Sequence, residues 1–211
     1  YVMPDEVTAI DQQALRYCLR LQKVTIPDMV EVTIPNAAFS YSDFSEVSLG
    51  AGVTISSMNN LFQECDMLRK VTIADDASCG TDFSAVYSGD HALEEATIPT
   101  SITSIGSNAF QSCVALHKLV YDAADVQTFP TTFASGKLRY DLVIGENVQN
   151  IGAGFEVIGR YVEDVTFEPN HTFTVEEGAF SSLSSPLANV SGTVHVDANG
   201  LVYTLDEDGT A

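Results

Sequence analysis

The chain has little positive charge. Nine Lys and Arg stand against 29 Asp and Glu, a formal net charge of −20 over 211 residues. That balance argues against nucleic acid and anionic lipid, which are gripped through cationic side chains. It serves solubility first, with calcium or cationic partners as the sharper alternative. No apolar run approaches membrane-spanning length, so no direct membrane insertion is expected of this segment. No signal peptide is visible at Tyr1, so an export signal is expected to have been removed or to lie outside this segment. Tryptophan is absent, and there are only four cysteines.

Catalytic signatures are also missing. There is no Gly-x-Ser-x-Gly elbow and no P-loop. Gly152-x-Gly154 has its third glycine too late for a dinucleotide fingerprint. His91, His117, His171 and His195 lack metal-ligand spacing and read as surface residues. "LDEDG" (205–209) is half of an acidic calcium loop without its later ligands, and "DDASCGTD" (75–82) is weaker still. Asn170 and Asn189 fit the glycosylation sequon, which chance explains. The expectation is no enzyme, no cofactor and no metal.

What the chain does have is a repeat. "VTAIDQQALRYCLRLQKVTI" (7–26) and "ITSIGSNAFQSCVALHKLVY" (102–121) keep every apolar column across 95 residues. The closing apolar residues are Ile26, Leu49, Ile73, Ile98, Tyr121, Ile144 and Phe167, at steps of 23, 24, 25, 23, 23 and 23. Eleven positions earlier stand Leu15, Ala38, Phe62, Tyr87, Phe110 and Phe133, with Phe155 shifted by one in the seventh unit. Five positions earlier the column is apolar except at Arg139. "FTVEEGAF" (173–180) opens an irregular eighth unit whose strand, "TVHV", ends at Val196, with "SSLSSPLAN" as a loop insertion. Asn199-Gly200 then marks a hairpin.

Periods of 20–29 residues with fixed apolar columns indicate a leucine-rich-repeat solenoid. The predicted fold is α/β to mainly β: about eight coils of 23–25 residues, each with one short parallel strand such as "KVTI". The "IGxxAFxxC" segment forms the opposite wall as one helical turn or a short strand. At about 4.8 Å per coil the stack would reach roughly 35–40 Å. The expected organisation is one solenoid domain over 1–211: regular repeats from about 5 to 167, an irregular repeat at 168–196, and a hairpin or cap at 197–211. The chain is expected to be cut from a longer parent.

The signature "SITSIGSNAFQSCVALHKLV" resembles the BspA-like leucine-rich repeat. The pattern is close at 98–121, good at 146–155, and partial elsewhere over roughly 5–196. Such repeats occur in surface and secreted proteins of gut and oral bacteria, treponemes and some protozoa. The resemblance implies an extracellular module for adhesion or protein binding, with a protein or glycan ligand of the host or of neighbouring cells. It carries over no catalytic residue.

Cys18, Cys65 and Cys113 share one column, two coils apart. On the order of 10 Å separates such positions, too far for a disulfide, so they read as buried thiols. Cys79 lies outside the column. The outward strand positions are the candidate interaction face. Three before each strand end stand Lys23, Glu46, Lys70, Glu95, Lys118, Asp141 and Asp164. One before stand Thr25, Ser48, Thr72, Thr97, Val120, Val143 and Thr166. The first five charges alternate in sign, so neighbouring strands would set opposite charges side by side, about 0.2–1 kcal/mol per pair. The ladder can set register, serve as a recognition face, or both. Two functions follow: a surface binding module, or a spacer whose array length is its purpose.

Overall fold

The computed structural model describes residues 1–74, 76–135, 138–184 and 186–204. Its main wall is a seven-stranded parallel sheet: β1 (Lys23–Ile26), β3 (Glu46–Leu49), β5 (Lys70–Ile73), β7 (Glu95–Ile98), β9 (Lys118–Tyr121), β10 (Tyr140–Ile144) and β12 (Val162–Phe167). The second wall carries β2 (Val32–Ile34), β4 (Val53–Ile55), β6 (Asp82–Phe83), β8 (Ser104–Ile105), β11 (Asn150–Ile151) and β13 (His171–Val175). Alternating β-branched and charged residues explain the main strands. The "KVTI"-type segments β1, β3 and β7 bury their second and fourth side chains and turn the others outward, while β5 leaves Val71 and Ile73 half-buried.

The register follows the sequence columns. Lys23 lies opposite Glu46, Glu46 opposite Lys70, Glu95 opposite Lys118, and Lys118 opposite Asp141. After each strand the next residue donates its N–H back to the preceding strand end. Gly50 reaches Ile26 at 2.9 Å, Ala74 reaches Leu49 at 2.9 Å, Asp122 reaches Ile98 at 3.1 Å and Gly145 reaches Tyr121 at 2.9 Å. Pro99 occupies this position in the fourth unit and has no N–H to give. There the ladder opens: β5 and β7 pair only at Lys70 and Glu95.

The third wall is built of turns rather than helix. The exceptions are a 3₁₀ turn at Ala153–Phe155, a second at Pro186–Asn189, and α1 (Glu156–Gly159). Left-handed residues recur in pairs four apart, as at Asn60 and Glu64 (φ 54° and 59°) or Asn108 and Ser112 (φ 64° and 65°). Gly89 holds such a place at φ 91°, where a Cβ would sit 2.7 Å from the Glu64 carboxylate carbon. Gly106, which interrupts the helical spacing of "ITSIGSNAF", lets its coil close on Ser84, whose Oγ a Cβ would strike.

Inside the stack runs an aromatic column: Phe39, Phe62, Tyr87, Phe110 and Phe133, with successive ring centroids 5.0–5.5 Å apart. Phe39 takes the place expected of Ala38, since the second unit shifts by one. The sixth unit shifts likewise, so that Leu138 and Tyr140 are buried while Arg139 faces outward. All four cysteines are free. The Cys65 thiol donates to the Phe39 carbonyl at 3.2 Å and the Cys113 thiol to that of Tyr87 at 3.0 Å. Coils between the cysteine coils carry a polar side chain that accepts the cysteine N–H: Ser42 Oγ from Cys18 at 3.0 Å, and Asp90 Oδ1 from Cys65 at 2.7 Å.

Both ends of the stack differ from the periodic reading. Pairing begins before residue 5: Val2 bridges Thr25, and Met3 donates to the Thr25 carbonyl at 2.8 Å. Met3-Pro4 stands 23 residues before Ile26-Pro27, one repeat step. At the other end the main wall has seven strands rather than eight. The eighth strand, β14 (Gly192–Val196), forms but runs antiparallel to β13. The loop inserted before it brings the chain back in the opposite sense, with Gly192 at φ 92° where β14 begins. A turn at Asp197–Leu201 then leads to β15 (Val202–Thr204), antiparallel to β14, with Gly200 at φ 78°.

Candidate interaction face

The charged column lies on the outer face of the main wall. Lys23, Glu46, Lys70, Asp141 and Asp164 are exposed, and Glu95 and Lys118 are half-buried. Among the described residues one pair in the column closes as an ion pair, Lys23 Nζ to Glu46 Oε2 at 2.7 Å. In the hydroxyl column Thr72, Thr97 and Thr166 are exposed and Thr25 is half-buried. Two further side-chain contacts outside the strands cross between the third and fourth coils. Arg69 meets Glu94 at 3.2 Å, and His91 Nδ1 lies 3.0 Å from Asp66.

A bulge reshapes the acidic end. Tyr140 pairs with Val162 and Leu142 with Val165, so Glu163 and Asp164 together stand against Asp141. Asp164 accepts the N–H of Val165 at 2.9 Å. Glu163 escaped the column reading; the signal for it is the length of "VEDVTF" beside the four-residue strands before it.

Where β5 and β7 separate, a cleft of about 690 Å³ opens on this face. Val71, Ile73, Ala77 and Cys79 line one side, Ala96, Thr97 and Thr100 the other, and Tyr87 reaches it from the aromatic column. Burial raises the Cys79 thiol to about 11.

The remaining candidates for chemistry do not converge. Among the described residues no group of three His, Cys, Asp or Glu could hold a metal ion. "LDEDG" lies outside the described residues, as does Asp75 of "DDASCGTD". His117 is exposed, and His195 Nδ1 lies 2.9 Å from Thr172 Oγ1. His171 is half-buried rather than a surface residue, stacked on Phe173 at 5.1 Å. Asp90 is fully buried, and its Oδ2 has no hydrogen-bond partner. Burial drives its carboxyl well above the usual range, the Cys65 N–H opposes, and Glu64 and Asp66 add to the rise. Burial likewise raises the Cys65 and Cys113 thiols, leaving them inert packing groups. No described helix is long and apolar enough to cross a membrane.

The family described as BspA type leucine rich repeat region matches residues 1–80 and 82–187, in six copies. No curated protein matches the chain. Two solved structures are similar to it. One is a leucine rich cell surface protein from Faecalibacterium prausnitzii, at 17% identity and TM-score 0.39 over 80% of this chain and 31% of that one. The other is a leucine-rich repeat protein from Bacteroides ovatus, at 17% identity and TM-score 0.40 over 86% of this chain and 64% of that one. The chain thus spans about a third of the first and under two thirds of the second. Repeat columns, parallel ladder and family match agree: the chain belongs to the BspA type leucine-rich-repeat family.

Proposed function

We propose that the chain is a non-enzymatic binding module of a cell-surface or secreted protein, engaging a protein or glycan through the outer face of its main wall. One observation carries the reading. The face presents seven parallel strands whose charges beyond Lys23 and Glu46 form no ion pair among the described residues. A ladder that served register alone would gain most by closing each pair. Here Lys70 and Lys118 remain available to a partner, beside exposed hydroxyls and an acidic end at Asp141, Glu163 and Asp164. Complementary charge of this kind sets specificity and encounter rate. Membership of a family of leucine-rich repeats, which generally bind proteins, supports the same reading.

A second reading, a spacer within a longer surface protein, is favoured by the aromatic column, which ties successive coils into one stack. A screen of the isolated chain against host matrix proteins and glycans separates the two. A ligand whose affinity falls on Lys118→Glu supports the binding face. A clean negative across both sets favours the spacer.

A further inference from the structure

The opening between the third and fourth coils has causes written into the fourth unit. Pro99 withholds the N–H that would close on the Ile73 carbonyl. Ala96 is the smallest residue of its column, where Val47, Val71, Leu119 and Leu142 stand in neighbouring coils. The unit is also the longest, at 25 residues. The second wall holds there through one bridge, where Ile55 N–H donates to Ser78 at 2.6 Å and Ser78 N–H to Val53 at 3.0 Å. The turn wall stays shut: Phe62 N–H donates to Val86 at 3.1 Å and Glu64 N–H to Ser88 at 2.8 Å. The two coils are hinged at the back and parted at the front. Val71 and Ile73 are in consequence half-buried in mid-array, although Val47, Leu49, Ala96 and Ile98 are buried.

The parted strands leave main-chain groups facing one another. Lys70 and Ala74 donate back towards the second coil, so strand alternation turns the N–H and C=O of Val71 and Ile73 towards the fourth. By the same alternation Thr97 faces the third. Beyond Lys70 and Glu95 nothing pairs them. Unpaired strand edges recruit another main chain, because only a peptide offers donors and acceptors at the matching spacing. The floor between them is aliphatic, and the volume is that of a ligand site. At the strands' C-terminal end Asp76 and Asp122 border the cleft, which favours a cationic residue there.

We propose that this cleft binds an extended peptide segment of a protein partner, its main chain bonded at Ile73 and Thr97 and one aliphatic side chain seated over Ala96. The proposal rests on the reading of the chain as a protein-binding module and gives it a specific site.

A phage-displayed random decapeptide library, selected on the full chain, tests it. Recovered peptides are resynthesised with and without N-methyl groups on alternate amides, and binding is followed by fluorescence anisotropy. Alkylation of Cys79, followed by mass spectrometry, reports occupancy of the cleft. The recovered peptides should alternate aliphatic residues and slow Cys79 alkylation. They should lose about tenfold or more in affinity on N-methylation and on Ala96→Leu, which fills the floor with the residue type found at 119 and 142. Should Ala96→Leu fail to fold, the N-methylated peptides on the parent chain decide alone. Failure to recover peptides, full affinity after N-methylation or for Ala96→Leu, or unchanged Cys79 alkylation overturns the proposal. Protection of Cys79 by the small amphipathic dye anilinonaphthalene sulfonate, where peptides give none, overturns it in favour of a small-molecule site. A matrix ligand that binds Ala96→Leu normally and Lys118→Glu poorly would leave the charged face standing without the cleft.

Discussion

Lys70 sits between Glu46 on one side and Glu95 on the other, and its pairing with Glu95 is the one rung joining β5 to β7. Lys70→Glu places like charges along three successive strands. The melting temperature should fall by about 2–4 °C for a loss near ~1 kcal/mol, with Lys70→Gln between the two. An unchanged or higher value would remove any role of the ladder in stability. Asp90 makes a prediction of opposite sign. In the unfolded chain its carboxyl ionises near pH 4, whereas burial keeps the proton on it in the fold to higher pH. The native state therefore binds more protons than the unfolded one above that pH, and stability falls as pH rises. Asp90→Asn retains an oxygen for the Cys65 N–H and cannot ionise. Thermal melts should place it above the parent at pH 7, with the gap closing at about pH 4. Parallel curves at both pH values would refute a neutral buried carboxyl.

At the scale of the strand and the coil, amide exchange should report the opening directly. Amides of Val71, Ile73 and Thr97, which face the opening, should exchange faster than those of 47–49 and 119–121, whose neighbours pair on both sides. Pro99→Ala returns an N–H opposite the Ile73 carbonyl and should slow exchange at 73 and 97. Equal rates throughout would mean that β5 and β7 are joined in solution. Most of the coil was legible beforehand, because an apolar column is a direct image of burial. Ile26, Leu49, Ile98, Tyr121 and Ile144 are placed as closing residues by spacing alone, and all are buried. The acidic bulge was less legible, since a column assumes one residue per rung and β12 sets two against Asp141. The antiparallel sense of β14 was not legible, because direction is decided by the path of the preceding loop and not by the alternation within the strand. The opening left its marks in plain view: a proline, an alanine and a 25-residue step. Each alone fits a turn or a tolerated variation, and their coincidence in one unit carries the meaning.

The whole molecule bears a net charge of −20, with 29 acids on a body of modest size. Self-repulsion on that scale exceeds what a few exposed ion pairs return. Raising sodium chloride from about 0.05 M to about 0.5 M should therefore raise the melting temperature, even though the same salt weakens Lys23 with Glu46 and Arg69 with Glu94. A fall would show the cross-coil pairs to outweigh the repulsion.

The bonds between coils run along the stack, so a pull on its two ends loads every junction with the same force. Junctions in series yield at the weakest, and within the main wall that is the one between the third and fourth coils, where a single strand rung pairs β5 with β7. A body tethered to a surface through such a stack would lengthen first at its centre, widening the cleft before any coil unravels. Tension and occupancy of that cleft would then be coupled.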